Sequence, residues 1–276
     1  MMVYSKLNIE SLSKFKSTFW NKEIPCLHRV HLSEPGHGAH KIQNIIGMSI
    51  SLERMENKLR ILSKTIEETN KTSHLKLKAL LTFDDGHKDV LLAVKVLEKF
   101  PLIQPVLFLT GKQLHNDTTP LPLTALYSWC DSKKLDLNNL LSTYGFSRES
   151  LKKLPELEQQ NILKSRGIDI NPLGEKMLNL KEVNSLVSKG WFVGYHGSSH
   201  CDLRIYSSEE LVERFTCDYK RLKELAFKPW IAWPEGRWND SIAAMAFKIG
   251  FKNQFGLEGE QGVGTKTYCI NRRIWN

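Results

Sequence analysis

Cysteine is scarce in this chain, and what there is forms no pattern. Among 276 residues only Cys26, Cys130, Cys201, Cys217 and Cys269 occur, an odd number at wide spacings with no CxxC pair. That argues against a disulfide framework and favours a reducing compartment. No run of about 18 apolar residues occurs, so no membrane span is expected. The N-terminal stretch MMVYSKLNIESLSKF lacks the continuous apolar core and small-residue cleavage site of a secretion signal. The expected location is therefore the cytoplasm or the periphery of the inner membrane face. Internal repeats and low-complexity tracts are also missing. Acidic residues are in deficit, 30 against 39 Lys and Arg, for a net charge of +9. Such an excess favours anionic partners, among them an acidic or phosphate-linked glycan or an anionic membrane face. No basic run is interleaved with aromatics, which disfavours nucleic acid. Lys152, Lys153, Lys220 and Lys223 fall on polar helix faces, where solvation is the simple expectation.

What is present is ordinary globular material: 41% hydrophobic and 25% charged residues, in a chain long enough to bury a large core unaided. Short apolar runs alternate with amphipathic segments, which indicates an α/β architecture with parallel strands. Strands are expected at Leu77–Phe83, Val106–Leu109, Trp191–Tyr195, Trp230–Trp233 and Tyr268–Ile274. Val90–Phe100, the segment ending at Gly190, Ser207–Ala226 and Ser241–Ile249 have helical spacing. Ser207 or Ser208 is the expected cap of the third of these. Residues 116–179 are polar and proline-marked. They are expected to form a helical insertion over one end of a single catalytic domain spanning 1–276, either shaping a substrate site or merely decorating the fold.

Four segments carry candidate chemistry. Thr82-Phe83-Asp84-Asp85-Gly86 ends an apolar strand with two adjacent carboxylates, costly unless their charge is used. One can bind a metal while the other serves as a base, or both can belong to a polar turn. His196-Gly197-Ser198-Ser199-His200 follows another strand. Its two imidazoles either face solvent or converge with one carboxylate on an ion, leaving positions open for water and substrate. Two such clusters at strand ends match the rim where barrel enzymes place their chemistry. Trp233-Pro234-Glu235-Gly236-Arg237-Trp238 is a rigid turn whose Trp233 and Trp238 either pack or wall a sugar-binding groove. Pro25-Cys26-Leu27-His28-Arg29-Val30 begins as an apolar strand and carries one histidine.

Together these segments resemble the NodB-like polysaccharide deacetylases, carbohydrate esterase family 4. The TFDDG motif is intact at Thr82–Gly86, and the resemblance implies Asp84 as catalytic base and Asp85 as metal ligand. HGSSH is similar to the family's second motif, with His196 and His200 as ligands and Gly197 at the usual small-hydroxyl position. The aromatic-Pro-x-Gly turn implies that the Glu235 amide contributes to an oxyanion hole, although Ala232 stands where many members carry Arg. No late Leu-x-His motif follows Trp238. Instead LHRV at Leu27–Val30 is similar to the early YHRV-type segment of biofilm-polysaccharide deacetylases, which makes His28 the implied general acid. In that branch a near-terminal Arg orients the base, here Arg272 by preference, with Arg273 as the alternative.

The resemblance implies a distorted (β/α) barrel of about seven strands and a hydrolase of carbohydrate metabolism. Its reaction is metal-dependent removal of N-acetyl groups from amino sugars of a polysaccharide, an oligosaccharide or a lipid-linked glycan. Zinc is the expected ion, with cobalt, nickel and manganese acceptable to the same ligands. Alternatives keep the site and change the acyl group to an O-acetyl ester or a formyl amide, or retain only glycan binding.

Overall fold

The computed structural model describes residues 13–16, 18–20, 23–74, 76–258, 262–263 and 269–275. Seven parallel strands close a barrel: β1 (Pro25–Leu27), β2 (Lys78–Phe83), β3 (Ile103–Leu109), β4 (Phe192–Tyr195), β5 (Trp230–Ala232), β6 (Asn253–Leu257) and β7 (Cys269–Ile274). Each strand pairs with its neighbour in sequence, and β7 closes the ring on β1 through Ile274 opposite Cys26. Parallel neighbours need long crossovers, and helices supply most of them. The strand expected at Tyr268 is seen from Cys269 onward, and Tyr268 itself lies outside the described residues.

Alternation along the strands separates two cores. Leu80, Val106, Phe108, Ala232, Phe255 and Ile270 belong to one apolar cluster inside the barrel. The intervening residues Ala79, Leu81, Phe83, Leu107, Leu109, Val193 and Ile231 join a larger cluster with the surrounding helices. The inward parity matters for the site. Thr82 and Asp84 continue the face of Leu80, and Arg272 continues that of Ile270.

Helices α1 (Gly38–Ile45), α2 (Leu52–Ser73), α3 (Pro122–Lys133), α4 (Arg148–Lys152), α5 (Glu156–Ser165), α6 (Leu180–Ser188), α7 (Ser208–Glu224) and α8 (Asp240–Ile249) surround or extend this barrel. In α2, Met55, Leu59, Leu62 and Ile66 face the core at helical spacing. Each contributes roughly 1.5–3 kcal/mol of burial. Ser207 caps α7 and forms a reciprocal capping box with Glu210. The stretch 116–179 contains α3, α4 and α5, which pack with Ala39 of α1 in a separate apolar cluster that includes Leu126, Tyr127 and Leu163.

The helix expected over Val90–Phe100 is not one helix. A 3-10 turn at Lys88–Ala93 precedes a single α-turn at Val94–Leu97. The bridge between His87 and Met177 pins one end and Pro101 stops the other, so the short span winds tightly. Among the described residues no helix is long and apolar enough to cross a membrane.

Candidate functional site

The four sequence segments meet at the C-terminal rim of the barrel. Leu27 of β1 lies opposite Phe83 of β2. His28 and Asp84 are therefore neighbours although far apart in sequence. A ring nitrogen of His28, Cys26 Sγ and an Asp84 carboxylate oxygen lie within 4.8 Å of one another. Arg272 reaches Asp84 from β7 in a two-pronged pair, Nη1 to Oδ1 at 2.6 Å and Nη2 to Oδ2 at 2.8 Å. Its Nη1 also donates to Thr82 Oγ1, and its Nε donates to the Gly256 carbonyl. Beneath it the guanidinium stands 5.3 Å above the Phe108 ring, so one side chain seals the inner core and holds the carboxylate. Burial alone would raise the Asp84 carboxyl. Arg272 overrides that and holds it at about 2. Of the two candidate arginines, Arg272 is the one brought to Asp84, while Arg273 is exposed.

Asp85 turns the other way because its backbone is left-handed, φ 69°, which an aspartate tolerates better than most residues. Gly86 is left-handed as well, and a Cβ there would strike the Gln113 and Leu109 side chains. The double reversal aims Asp85 at the HGSSH loop. Its Oδ1 lies 3.4 Å from His196 Nε2 and 3.2 Å from His200 Nε2. His196 Nδ1 donates to the Ala232 carbonyl at 2.9 Å. A carbonyl only accepts, so that nitrogen carries the proton, and in a neutral imidazole Nε2 presents its lone pair to the site.

With His196 neutral, Asp85 Oδ1 and His196 Nε2 are buried acceptors facing one another, and neither has a hydrogen-bond partner among the described residues. The ligand atoms of Asp85, His196 and His200 lie within 4.8 Å of one another. Burial would lower the His196 imidazole, but Asp84 and Asp85 beside it raise it instead. The cluster calls for a positive charge at its centre. Two imidazoles and a carboxylate around such a point fit a divalent ion of the zinc class.

The HGSSH loop and the Trp233–Trp238 turn fit each other closely. Gly197 is left-handed at φ 78°, and a Cβ there would stand 2.9 Å from Pro234 Cγ. Glycine at that position is thus required by the backbone and by the neighbouring proline. Glu235 is also left-handed, φ 54°. The bonds closing its turn are donated by the Gly236 and Arg237 amides, to Trp233 and Pro234 carbonyls. Its carboxylate stands 3.9 Å from His200 Nδ1 and pairs with Lys152 of α4.

Three expectations need correction or addition. Trp233 and Trp238 do not wall a groove. They are 0% and 5% exposed, within the core between barrel and helices, because large indole surfaces at the base of a tight turn gain more from packing than from water. Lys152 is not a solvated surface residue but 2% exposed, held by Glu149 and Glu235. His87, unremarked in the sequence, is buried with Nε2 3.7 Å from Asp85 Oδ2. Above these groups opens a cavity of about 250 Å³, lined by His28, Asp84, His200 and Glu235 and by Arg148, Glu149 and Lys152 from α4.

The family model described as polysaccharide deacetylase matches residues 71–254. Streptococcus pyogenes deacetylase PplD, in complex with acetate, shares the fold at a TM-score of 0.54 and 15% identity, over 94% of this chain and 93% of that one. The de-N-acetylase from Aggregatibacter actinomycetemcomitans gives 0.52 and 14%, over 91% and 93%. IcaB from Ammonifex degensii gives 0.50 and 14%, over 94% of each chain. A search of curated proteins gives no match. The family match runs from before β2 into β6 and takes in both aspartates, both rim histidines and the Pro234 turn, and on that ground the chain belongs to the polysaccharide deacetylase family.

Proposed function

We propose that this protein hydrolyses the N-acetyl group of amino sugars in a glycan, using a divalent ion held by Asp85, His196 and His200. The observation that carries the reading is the division of labour between adjacent carboxylates. Asp84 is neutralised by Arg272, and Asp85 faces two imidazoles with its buried Oδ1 unpartnered among the described residues.

Bound there, a divalent ion supplies Lewis acidity toward an acyl carbonyl and makes water more acidic. Asp84, kept ionised and oriented by Arg272, accepts the proton of the attacking water. Cys26 Sγ stands 3.5 Å from Asp84 Oδ2 as a further donor, and burial pushes its thiol up, so it stays protonated. The Glu235 amide is the donor for the acyl oxygen as that atom gains charge. His28 passes a proton to the departing amine. Burial lowers its imidazole against the pull of Asp85 and Asp84, so it rests neutral and takes up the proton that Asp84 has received. Acetate and a free amino sugar leave.

The test is acetate release from N-acetylglucosamine oligomers by metal-stripped protein, with and without added zinc or cobalt. Release is expected only with metal, and Asp84→Asn should lower kcat by about 10²- to 10⁴-fold. An Asp84→Asn protein as active as the parent removes the base assignment. Metal binding without any acetate release removes the acetyl group from the reading.

A further inference from the structure

A second depression adjoins the catalytic cavity. It measures about 530 Å³, and Ile42, Ile45, Ile46, Leu135, Leu137 and Leu141 make its walls apolar. These side chains are not tucked away, since Ile45 is 70% and Leu141 60% exposed. Large aliphatic residues left open together around a groove mark a binding surface more often than chance exposure. The groove is continuous with the reaction site, because Ile46, Arg148 and Glu149 line both cavities.

The charges at the junction are unevenly matched. Glu149 is held by Arg237 at 2.6 Å and by Lys152 at 3.1 Å. Glu235 is held by Lys152. Asp136, at the groove side, accepts from the Asn138 amide of its own turn. Arg148 alone of these cations has no carboxylate within ion-pair distance among the described residues. Its Nε is buried without a hydrogen-bond partner, and its guanidinium rests 5.9 Å from the Tyr127 ring. An arginine so placed, between a polar cavity and an apolar groove, suits a phosphate.

We infer that the substrate is an amphiphile: an N-acetylated amino sugar in the catalytic cavity, a phosphate linkage at Arg148, and an apolar chain along the groove of α1 and residues 135–141. The inference rests on the deacetylase reading and narrows its substrate to a lipid-linked sugar. The helices of 116–179 then serve as the wall that recognises the carrier.

Four compounds test it: N-acetylglucosamine bearing at its anomeric oxygen a decyl phosphate, a methyl phosphate, a decyl group or a methyl group. The decyl phosphate is expected to exceed the methyl glycoside by at least about a hundredfold in kcat/KM, since each buried methylene adds severalfold. Arg148→Gln should shrink the preference for phosphate-bearing over uncharged compounds about ten- to a hundredfold. Leu141→Asp, at an exposed position, should shrink the preference for decyl over methyl compounds. Equal kcat/KM across the four, or variants that depress all four alike, overturns the inference while leaving deacetylation standing. A dimer dispersed by Leu141→Asp with unchanged preferences also overturns it, assigning the groove to a second copy of the chain. If none of the four releases acetate while N-acetylglucosamine oligomers do, the inference is overturned and the deacetylase reading stands. If the oligomers are inert as well, the deacetylase reading falls, and calorimetry with the decyl phosphate compound decides the rest. Binding weakened by both variants supports the groove and Arg148, and no binding overturns them.

Discussion

Two clusters at one rim have the composition of a metal site, and their difference is instructive. Cys26, His28 and Asp84 form one, and Asp85, His196 and His200 form the other, each with ligand atoms within 4.8 Å. In the first, the carboxylate is already neutralised by Arg272 and the thiol is kept protonated by burial, so neither offers free charge to an ion. In the second, His196 is fixed by the Ala232 carbonyl with its other nitrogen directed at Asp85. Residue type alone does not separate the two clusters. What separates them is one guanidinium, delivered from the last strand of the barrel, that neutralises one aspartate and leaves its neighbour facing two imidazoles.

The largest effect that sharpens this comparison comes from removing that guanidinium. Arg272→Met leaves Asp84 buried without its partner and should cost about 3–5 kcal/mol of stability in metal-free protein, read by urea unfolding. The double variant with Asp84→Asn should recover part of the loss. If Arg272→Met unfolds like the parent, the pair does not set the character of Asp84.

A smaller effect is expected at His87. This imidazole stands 3.7 Å from the far oxygen of Asp85, near enough to steer that carboxylate if, as proposed, it holds an ion. His87→Gln should weaken zinc binding about 10- to 100-fold in competition with a chelator. It should leave the Asp84–Arg272 pair intact. Unchanged zinc affinity would make His87 a packing residue only.

Much of the rim was legible because its signals are local. TFDDG and HGSSH each follow an apolar strand, and strand ends at one barrel face converge by topology. The approach of His28 to Asp84 follows from the pairing of β1 with β2, and from sequence it came only through the family resemblance. The interior placement of Trp233 and Trp238 was not legible, because a turn with flanking indoles reads the same whether they face a groove or a core. Arg148 and Lys152 were hidden for a different reason. Their site partners lie far along the chain, as with Lys152 and Glu235, and a short polar helix gives no sign of which face will be buried. Strand β6, NQFGL, is brief and carries Gly256, so it has little pattern of its own and exists because β5 and β7 flank it. The helix at Leu52–Ser73 did carry a signal, the spacing of Met55, Leu59, Leu62 and Ile66.

The most direct test of the central claim is a cobalt titration of metal-stripped protein, followed by visible absorption, in the parent, Asp84→Asn and His196→Gln. One cobalt per chain is expected in the parent, with a closely similar spectrum in Asp84→Asn and loss of tight binding in His196→Gln. Cobalt that binds His196→Gln as tightly as the parent, or that is lost from Asp84→Asn, would contradict the assignment of the ion to Asp85, His196 and His200.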